Sequence, residues 1–221
     1  MSLRAIEVEN LRKEYPGRKA VLDGLTFAVE EREFVVIFGR SGCGKTTLLN
    51  ILGGLDNPTS GKVLIDGESI VGRTEDDLAA IRLNKIGFVF QDFNLIADLT
   101  IRENVSLPLR FSGARNETRV QELLKKFDIL QIADETANKV SGGEAQRAAI
   151  ARAMMNEPRI ILADEPTGNL DSENTGNVMD MFQLVRRDFN TTILLATHDR
   201  ELAEDATTKI LLADGKAVIE M

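Results

Sequence analysis

The sequence is poor in several side chains that carry chemistry, with one tyrosine, one histidine, one cysteine and no tryptophan among 221 residues. The lone cysteine, Cys43, has no second cysteine for a disulfide, so the composition does not point to an oxidising compartment. With one cysteine and one histidine, a zinc site would need carboxylates for most of its ligands, which structural zinc sites rarely use. An internal disulfide is therefore excluded, and a zinc site is disfavoured.

Long apolar runs are missing as well. The longest, such as Phe34–Phe38, have the length of a β-strand, whereas a membrane-spanning helix needs about 20 apolar residues. The first residues, Met1–Glu7, lack the basic and then apolar order of a secretory signal. The sequence therefore predicts a cytoplasmic protein.

The charge balance is acidic. The chain carries 27 basic and 35 acidic side chains, a formal net charge of −8, and its isoelectric point is near 4.9. Such a surface exerts no general attraction on nucleic acid phosphates, so we expect no nucleic acid partner. The content of 43% hydrophobic and 28% charged residues is typical of a folded globular protein, and the length suits one large domain or two small ones.

Short apolar runs alternate with helical patterns along most of the chain. Strands that are buried on both faces are apolar almost throughout, so these runs predict a parallel sheet covered by helices. Apolar residues spaced three and four apart predict amphipathic helices around Val120–Phe127 and Val178–Phe189. The apolar runs are Phe34–Phe38, Ile86–Phe90, Ile160–Ala163 and Ile193–Ala196.

Two parts of the chain depart from this alternation. In the first 30 residues, Ile6–Leu11 and Val21–Val29 alternate apolar and polar side chains on either side of a turn signal, which predicts antiparallel strands. Between residues 92 and 157 strand signals vanish and helical ones dominate. We expect an α/β fold with a mostly parallel core sheet, an N-terminal antiparallel β layer and an inserted helical subdomain. The expected division of residues 1–221 is a core of 1–91 and 158–221 and a helical subdomain of 92–157.

Residues Gly39–Thr46 match the phosphate-loop pattern G-x-x-x-x-G-K-[ST]. Glycines let the backbone curl until successive N–H groups face one anion, and the next helix directs its positive end at the phosphates. A strand pattern leads into the loop and a helical pattern leads out of it, so we expect a P-loop NTPase rather than a glycine-rich turn without a ligand. The expected phosphate-binding residues are Gly39, Arg40, Ser41, Gly42, Cys43, Gly44, Lys45, Thr46 and Thr47.

Three side chains of the loop have separate interpretations. Lys45 supplies a mobile positive charge for the β- and γ-phosphates, and Thr46 offers a hydroxyl to Mg²⁺. Cys43 could be a reactive thiol at a helix N-terminus or a small side chain that fills a variable position. We favour packing, because a nucleophile needs a positioned base.

Two acids, Asp164 and Glu165, follow the apolar run Ile160–Ala163. A carboxylate at the carboxyl end of a strand lies near the phosphate loop in this type of sheet, so Asp164 suits the Mg²⁺ shell, through water. Glu165 is the candidate general base that deprotonates the attacking water. The alternative is that the two acids merely end a strand, and the phosphate loop upstream makes this less favoured.

A second anion-binding helix end is predicted at Ser141, Gly142 and Gly143, which lie just over 20 residues before Asp164. Ser141 is a good N-cap, and the glycines would let a phosphate approach the helix end closely. One nucleotide in one chain cannot easily use both helix ends. As a bare pattern, Ser-Gly-Gly is more often a plain helix cap.

In the order and spacing of these motifs, nearly the whole chain resembles the ATP-binding-cassette (ABC) ATPases. Gly39–Thr46 resembles the Walker A loop, Ile160–Glu165 the Walker B strand with its catalytic glutamate, and Val140–Glu144 the family signature. Four further matches are Gln91 to the Q-loop glutamine, Asn169–Asp171 to the D-loop, His198 to the switch histidine and Tyr15 to the aromatic residue that stacks on adenine.

The resemblance implies an Mg²⁺-dependent ATPase that forms a homodimer around two ATP molecules. Each ATP would lie between the phosphate loop of one chain and the signature residues Ser141, Gly142 and Gly143 of the other. The resemblance implies roles in catalysis for Lys45, Gln91, Glu165 and His198, and contacts to Mg²⁺ for Thr46, Gln91 and Asp164.

The signature departs from the usual family pattern at two positions. Val140 stands in place of the usual leucine, and Glu144 in place of the usual glutamine. We expect the Glu144 side chain to point to the helix surface and the activity to survive both changes.

Membership of the family implies that ATP hydrolysis drives a conformational change in a partner protein. The chain has no membrane segment, long coiled coil or second cassette, so we expect the nucleotide-binding subunit of a membrane transporter, peripheral on the inner face of the membrane. The alternatives are a soluble cassette ATPase with a non-membrane partner and a P-loop kinase. Motifs such as Asn50–Asp56 and Pro166–Asp171 resemble the lipoprotein-release, macrolide-export and FtsE-like cell-division subgroup.

An apolar stretch after Gln91 is the candidate surface for that partner. It would form either the core of the subdomain or a groove for a short cytoplasmic helix of the transmembrane permease. Its residues are Phe93, Leu95, Ile96, Leu99 and Ile101.

Overall fold

The computed structural model describes residues 4–17, 19–204 and 206–220, and in it two β-sheets are packed with helices. The strands are β1 (Arg4–Lys13), β2 (Leu22–Glu30), β3 (Phe34–Phe38), β4 (Ser60–Ile65), β5 (Glu68–Ser69), β6 (Ile86–Phe90), β7 (Ile160–Asp164), β8 (Thr192–Thr197), β9 (Thr208–Ala213) and β10 (Lys216–Glu220). The helices are α1 (Lys45–Leu52), α2 (Glu75–Lys85), α3 (Ile101–Ser112), α4 (Glu117–Lys126), α5 (Gly142–Ala153) and α6 (Ser172–Phe189).

The larger sheet, here called the core sheet, has the strand order β10-β9-β3-β8-β7-β6. All of its neighbouring pairs are parallel except β10 with β9. Every residue of β3 and of β8 is buried, as expected for strands covered on both faces. The prediction of a mostly parallel core sheet is confirmed.

The smaller sheet is antiparallel and has the order β2-β1-β4-β5. Its register places Val8 opposite Phe27 and also opposite Val63, so the inward side chains of three strands form one apolar face. The predicted N-terminal antiparallel layer is confirmed, and β4 and β5 extend it.

Helices α3, α4 and α5 lie between β6 and β7 in the sequence, together with two short 3-10 turns. Helices α3 and α5 both start with a capping box. The Thr100 and Ser141 side chains accept a hydrogen bond from a backbone N–H in the first turn, and the Glu103 and Glu144 carboxylates accept one from the capping residue. The helical character predicted for this stretch is therefore present, and local capping sets where these helices begin.

Two hydrophobic clusters sit on opposite faces of the core sheet. Side chains of β3 alternate between them, with Val35 and Ile37 in the first and Phe34 and Val36 in the second. The first cluster joins the antiparallel sheet to α1 and α2, and includes Ile6, Leu25, Leu48, Val63, Ile81 and Leu212. The second joins α3 to α6, and includes Ile101, Leu123, Ile150, Phe182 and Leu195. Helix α5 thus packs directly against the core sheet.

Helix α2 and the hairpin β9–β10 are not among the predicted elements, although each has a local signal. The Thr74 side chain forms a capping box with Asp77 at the start of α2. The hairpin turns at Asp214-Gly215, where both residues have positive φ, which is typical of a tight hairpin turn. In the described ranges, each helix falls short of the length or the apolar character that a membrane crossing requires.

Replacing a buried aromatic residue of the second cluster tests this packing. Phe182 is fully buried, whereas Phe111 is 74% exposed. We expect Phe182→Ala to lower the free energy of unfolding by about 3–5 kcal/mol, because it leaves a cavity against the core sheet. The matched change Phe111→Ala should cost no more than about 0.5 kcal/mol. Urea unfolding followed by circular dichroism measures both, and equal losses would contradict the assigned packing.

Candidate active site

A cavity of about 590 Å³ opens at the carboxyl edge of the core sheet, beside the loop from β3 to α1. Parallel strands end at the same edge, so the residues that follow β3, β6, β7 and β8 meet there. The cavity is lined by Tyr15, Val21, Ser41, Gly42, Gly44, Lys45, Thr46, Thr47, Gln91, Glu165 and His198.

The backbone of the phosphate loop requires glycine at Gly44, which is the N-cap of α1. Its φ is +107°, and a β-carbon there would lie 2.9 Å from Leu22 Cδ2. An L-residue would therefore be strained and crowded. Gly44 makes no side-chain cap, so the first N–H groups of α1 have no capping side chain, and the residues of this first turn line the cavity.

Lys45, Glu165 and His198 form one connected group in the cavity. The Lys45 side chain is buried, and its Nζ lies 3.3 Å from Glu165 Oε1 and donates to the Gly39 carbonyl at 2.9 Å. The second carboxylate oxygen of Glu165 lies 2.9 Å from His198 Nδ1 and accepts a hydrogen bond from the His198 backbone N–H. The candidate base is thus paired with the cation that we expect to bind phosphate.

Glu165 reaches this position through an unusual backbone conformation. It follows the last residue of β7 with φ +46°, in the left-handed region, and its N–H donates to the Ala196 carbonyl of β8. A non-glycine residue in this region is uncommon and costs about 1–3 kcal/mol. This backbone conformation directs the Glu165 side chain toward Lys45 and His198.

Asp164 is the last residue of β7 and is half-buried. Burial has the largest effect and raises the pKa of Asp164, and the negative charge of Glu165 raises the pKa further. The hydrogen bond with the Thr46 side chain and the Lys45 ammonium act in the opposite direction, but the net shift is upward. Its Oδ1 atom is buried and has no hydrogen-bond partner. A buried carboxylate oxygen without a partner next to a threonine hydroxyl fits a site for Mg²⁺, which prefers oxygen ligands.

Gln91 follows β6 and is held by Asn169. The Gln91 Nε2 atom donates to Asn169 Oδ1 at 3.2 Å, while Asn169 Nδ2 donates to the Gln91 carbonyl at 3.1 Å and to the Asp92 carboxylate at 2.9 Å. Gly168 leaves room for this contact, since a β-carbon there would lie 2.8 Å from Gln91 Nε2. The side chains of two separate loops are therefore coupled.

Three of the predicted phosphate-loop residues face a neighbouring cavity of about 500 Å³. Gly39, Arg40 and Cys43 line it together with His198 and Arg200. Cys43 packs against the first hydrophobic cluster. This position agrees with a packing role for the Cys43 side chain.

The helix end at Ser141, Gly142 and Gly143 does not line the cavity of its own chain. The Glu144 carboxylate turns back over this end and accepts hydrogen bonds from the Ser141 backbone N–H and hydroxyl. These hydrogen bonds lower the pKa of Glu144. These hydrogen bonds lie at the exposed end of the helix, so the capping box is compatible with the expected position of Glu144 at the helix surface.

Gly143 is packed tightly against helix α6. A β-carbon at Gly143 would lie 2.2 Å from Asn174 Oδ1. Gly142 has more room, since its nearest neighbour, Leu170, would be 3.4 Å away. Close packing of α5 on α6 therefore explains the glycine at 143, in addition to the predicted approach of a phosphate.

Two polar residues of α5, the buried Gln146 and the half-buried Arg152, support the site and are not predicted from the sequence. Gln146 is fully buried, and its Nε2 donates to the Pro166 carbonyl, just after Glu165. The Arg152 guanidinium donates to the carbonyls of Phe93 and Asn94, which both have positive φ. No local pattern marks these residues, because their partners are distant in sequence.

A second surface feature is a groove of about 800 Å³ between α2, β6 and α3, here called the α2–α3 groove. None of the five residues of the predicted apolar stretch lines it. Ile101 is fully buried and Leu95 packs on the second cluster, while Ile96 is 46% exposed. The residues that line it are Ala79, Ala80, Arg82, Leu83, Ile86, Gly87, Phe88, Phe90, Asn94, Leu107, Pro108, Phe111, Arg152, Ala153, Asn156 and Pro158.

Asn104 explains why the predicted stretch does not form the groove. This fully buried side chain accepts from the Ile96 N–H and donates to the carbonyls of Ile96, Leu99 and Thr100. Its hydrogen bonds hold residues 96–100 against the start of α3. The groove is therefore lined by later residues of α3 instead.

Comparison with known proteins decides what this site belongs to. Residues 22–168 match the family described as ABC transporter. The chain belongs to the ABC transporter ATP-binding family. The cassette is 40% identical to the lipoprotein-releasing system ATP-binding protein LolD 1 of Chlorobium chlorochromatii, over 97% of this chain and 91% of the relative. It is 42% identical to the macrolide export ATP-binding/permease protein MacB of Syntrophobacter fumaroxidans, over 95% of this chain but 30% of that longer protein.

Solved structures agree with this assignment. The cassette superposes with a TM-score of 0.89 on a dimeric, post-hydrolysis structure of the ATP-binding cassette MJ0796 bound to ADP and phosphate. The two share 41% identity, and the match covers 97% of each chain. The predicted family, the α/β fold and the class of ATPase are confirmed, and the chain is homologous to the nucleotide-binding subunits of LolD and MacB type.

The contact between Gly143 and Asn174 is open to a compensation test. We expect Gly143→Ala to lower the free energy of unfolding by about 1 kcal/mol, because the added methyl group pushes the Asn174 side-chain amide out of its place against α5. Adding Asn174→Ala should restore most of the loss, since it removes the clashing side chain. Urea unfolding of both variants measures this, with Asn174→Ala alone as the control. A double variant that is no more stable than Gly143→Ala would refute the packing explanation.

Proposed function

We propose that the cassette binds and hydrolyses ATP in the cavity beside the phosphate loop and drives a membrane-embedded partner. The supporting observation is that Lys45, Gln91, Glu165 and His198 come together there, while the second anion-binding helix end lies outside the cavity. By the names of its relatives, we place the complex with lipoprotein-release or macrolide-export systems. It acts as a transporter or as a device that transmits force across the membrane.

The proposed hydrolysis begins with an exchange of ion pairs. The phosphates lie on the N–H groups at the start of α1, and their charge attracts the Lys45 ammonium away from Glu165. Glu165 is then free to take a proton from the attacking water, and His198 contacts the γ-phosphate. The water oxygen bonds to the γ-phosphorus as the bond to the β-phosphate oxygen breaks, which yields ADP and phosphate.

Three residues would hold Mg²⁺, namely Thr46, Asp164 through water, and Gln91. The buried, unpartnered Oδ1 of Asp164 supports this assignment. When bound, the ion neutralises negative charge on the transferred phosphate. Gln91 would bind the ion through its Oε1 atom, while its Nε2 donates to Asn169 Oδ1.

The remaining contacts to ATP come from two chains. Tyr15 stacks on the adenine, and the phosphates are surrounded by residues Ser41 to Thr47 and by the backbone of Gly39 and Arg40. The signature residues Ser141, Gly142 and Gly143 contact the γ-phosphate of the ATP that is bound to the partner chain. This arrangement requires a homodimer that closes on ATP and opens after hydrolysis. The dimeric state described for a structural neighbour supports it.

The partner is a transmembrane permease that places the cassette on the cytoplasmic side of the membrane. We propose that residues 92–157 act as the helical subdomain and that a short permease helix enters the α2–α3 groove. Arg152 and Asn94 line this groove, and Arg152 also holds the backbone just after Gln91. A helix in the groove would therefore contact residues that position the catalytic loop. No nucleic acid partner is proposed.

The role of Glu165 as the base has a direct test. We expect Glu165→Gln to bind ATP but to hydrolyse it at least about 100-fold more slowly, because the amide cannot take a proton. Bound ATP should then hold the dimer closed, which gel filtration with and without ATP would detect. Glu204→Gln, an exposed site after β8, is the matched control. A fully active, monomeric Glu165→Gln would contradict the assignment.

A charged substitution in the α2–α3 groove tests whether the permease docks there. We expect Phe111→Asp to reduce recovery of the permease about tenfold or more, because a buried carboxylate without a partner opposes docking. Tagged cassette is recovered from detergent-solubilised native membranes, and integral membrane proteins are identified by mass. Val218→Asp, which changes another exposed apolar side chain, is the control. Equal recovery with both variants would show that the partner binds elsewhere.

A further inference from the structure

Tyr15 is held in place by two neighbours, Lys13 and Asp56, to which the sequence analysis gives no role in nucleotide binding. Its hydroxyl donates to Asp56 Oδ2 at 2.8 Å, and the Lys13 Nζ lies over its ring, 4.7 Å from the centroid. The same Nζ contacts Asp56 Oδ1 at 2.6 Å. Three side chains from two segments thus close a small cycle of contacts, with the tyrosine ring at its outer edge.

The cation in this cycle is removed from bulk water. Lys13 is 8% exposed, and its Nζ also donates to the Asn57 carbonyl at 2.6 Å. Partial burial alone would raise the pKa of Asp56, but hydrogen bonds from Lys13, Tyr15 and the Asn57 backbone together lower it. The carboxylate therefore stays ionised and holds both the ammonium and the phenol.

The cycle connects the tyrosine to the phosphate loop through helix α1. Asp56 lies in the turn that leaves α1, and the N–H groups of Leu55 and Asp56 donate to the Asn50 carbonyl in the last turn of the helix. The first turn of α1 carries Lys45 and Thr46. A helix of this length spans about 12 Å, so one rigid element relates the ring to the phosphate loop.

The ring is preorganised and partly exposed. Tyr15 is 36% exposed and lines the same cavity as Lys45 and Glu165, so part of its ring is available to a ligand. A cation on one face of an aromatic ring draws electron density away from the other face. An electron-poor ring stacks better on an electron-rich purine, and a ring already held loses less entropy when it stacks.

We propose that Lys13 and Asp56 are positioning residues that hold Tyr15 as a platform for the adenine base and set its distance from the phosphate loop. This inference rests on the proposed role of Tyr15 in ATP binding. Neither residue touches the reacting phosphates. Their effect is on the affinity for the base and not on the chemical step.

The first test compares two ligands, MgATP and Mg-tripolyphosphate, which has no base. Lys13→Met keeps the side-chain stem and removes the charge, and Asp56→Asn removes the charge of the carboxylate. Each should raise the Kd for ATP about three- to tenfold, as expected for a lost cation–π contact and a looser stack, and leave the Kd for tripolyphosphate at the wild-type value. The loss in ATPase assays should fall on KM rather than kcat.

Lys62→Met is the matched control. Lys62 also carries an ion pair on the antiparallel sheet, to Glu9, but both partners are about half exposed and neither contacts Tyr15. Its Kd for ATP should equal that of the wild type. Circular dichroism on all variants verifies that they are folded, and a weaker affinity for tripolyphosphate in Lys13→Met and Asp56→Asn would overturn the proposal in favour of a general structural role.

The second test uses the fluorescence of Tyr15, which is the chain's one tyrosine in the absence of tryptophan. A base stacked on the ring quenches this emission. The quenching should saturate at about three- to tenfold higher ATP concentration in Lys13→Met and Asp56→Asn, in step with the Kd. Wild-type saturation in both variants would overturn the proposal.

Tyr15→Leu tests the contact of Tyr15 with adenine separately from the positioning role of Lys13 and Asp56. If it leaves the Kd for ATP unchanged, the proposed contact of Tyr15 with adenine is wrong, and the positioning role falls with it. If Tyr15→Leu weakens ATP binding but Lys13→Met and Asp56→Asn behave like Lys62→Met, the positioning role alone is wrong. If the proposal holds, adding Lys13→Met to Tyr15→Leu weakens binding no further.

Discussion

The parallel register of the core sheet is the constraint on which the site depends. Strands β3, β6, β7 and β8 run in the same direction and pair in register, so Phe38 lies beside Thr197, and Asp164 lies beside Ala196 and Phe90. The strands are buried for most of their length, and the residues that follow them begin at the common edge. Residues as far apart in the sequence as Ser41 and His198 are thereby placed around one cavity.

The charged side chains at this edge of the sheet have partners that ATP binding would change. Lys45 is buried beside Glu165, while Asp164 has a raised pKa and a buried oxygen without a partner. The first N–H groups of α1 have no side-chain cap. A polyphosphate with its cation would supply what each of these groups lacks, which explains why such costly features persist in a folded chain.

The motifs are also connected to one another by contacts that run between loops. Asn169 holds Gln91, Gln146 holds the carbonyl of Pro166, and Arg152 holds the backbone after Gln91. Because these hydrogen bonds join separate segments, movement of one segment changes the partners of another. We infer that coupling between the α2–α3 groove and the catalytic residues passes through them.

The sequence by itself determined the larger part of the fold and the identity of the motifs. Apolar runs marked β3 and β6 to the residue, and they marked β8 except for the threonine at each end, because strands covered on both faces are apolar almost throughout. The phosphate-loop pattern marked α1 for a similar reason, because Gly44 and Lys45 are required by local geometry. Helix α2 and the hairpin β9–β10 carried local signals as well, in a capping box and an Asp-Gly turn.

Only the tertiary structure decided the contacts between these motifs. The pairing of Lys45 with Glu165, the hold of Lys13 and Asp56 on Tyr15, and the lining of the α2–α3 groove join segments that are distant in sequence. Local patterns such as periodicity, caps and turns report on neighbours within a few residues. Which side chain fills the space beside another depends on how whole elements pack, and that is set by the two clusters on either face of the core sheet.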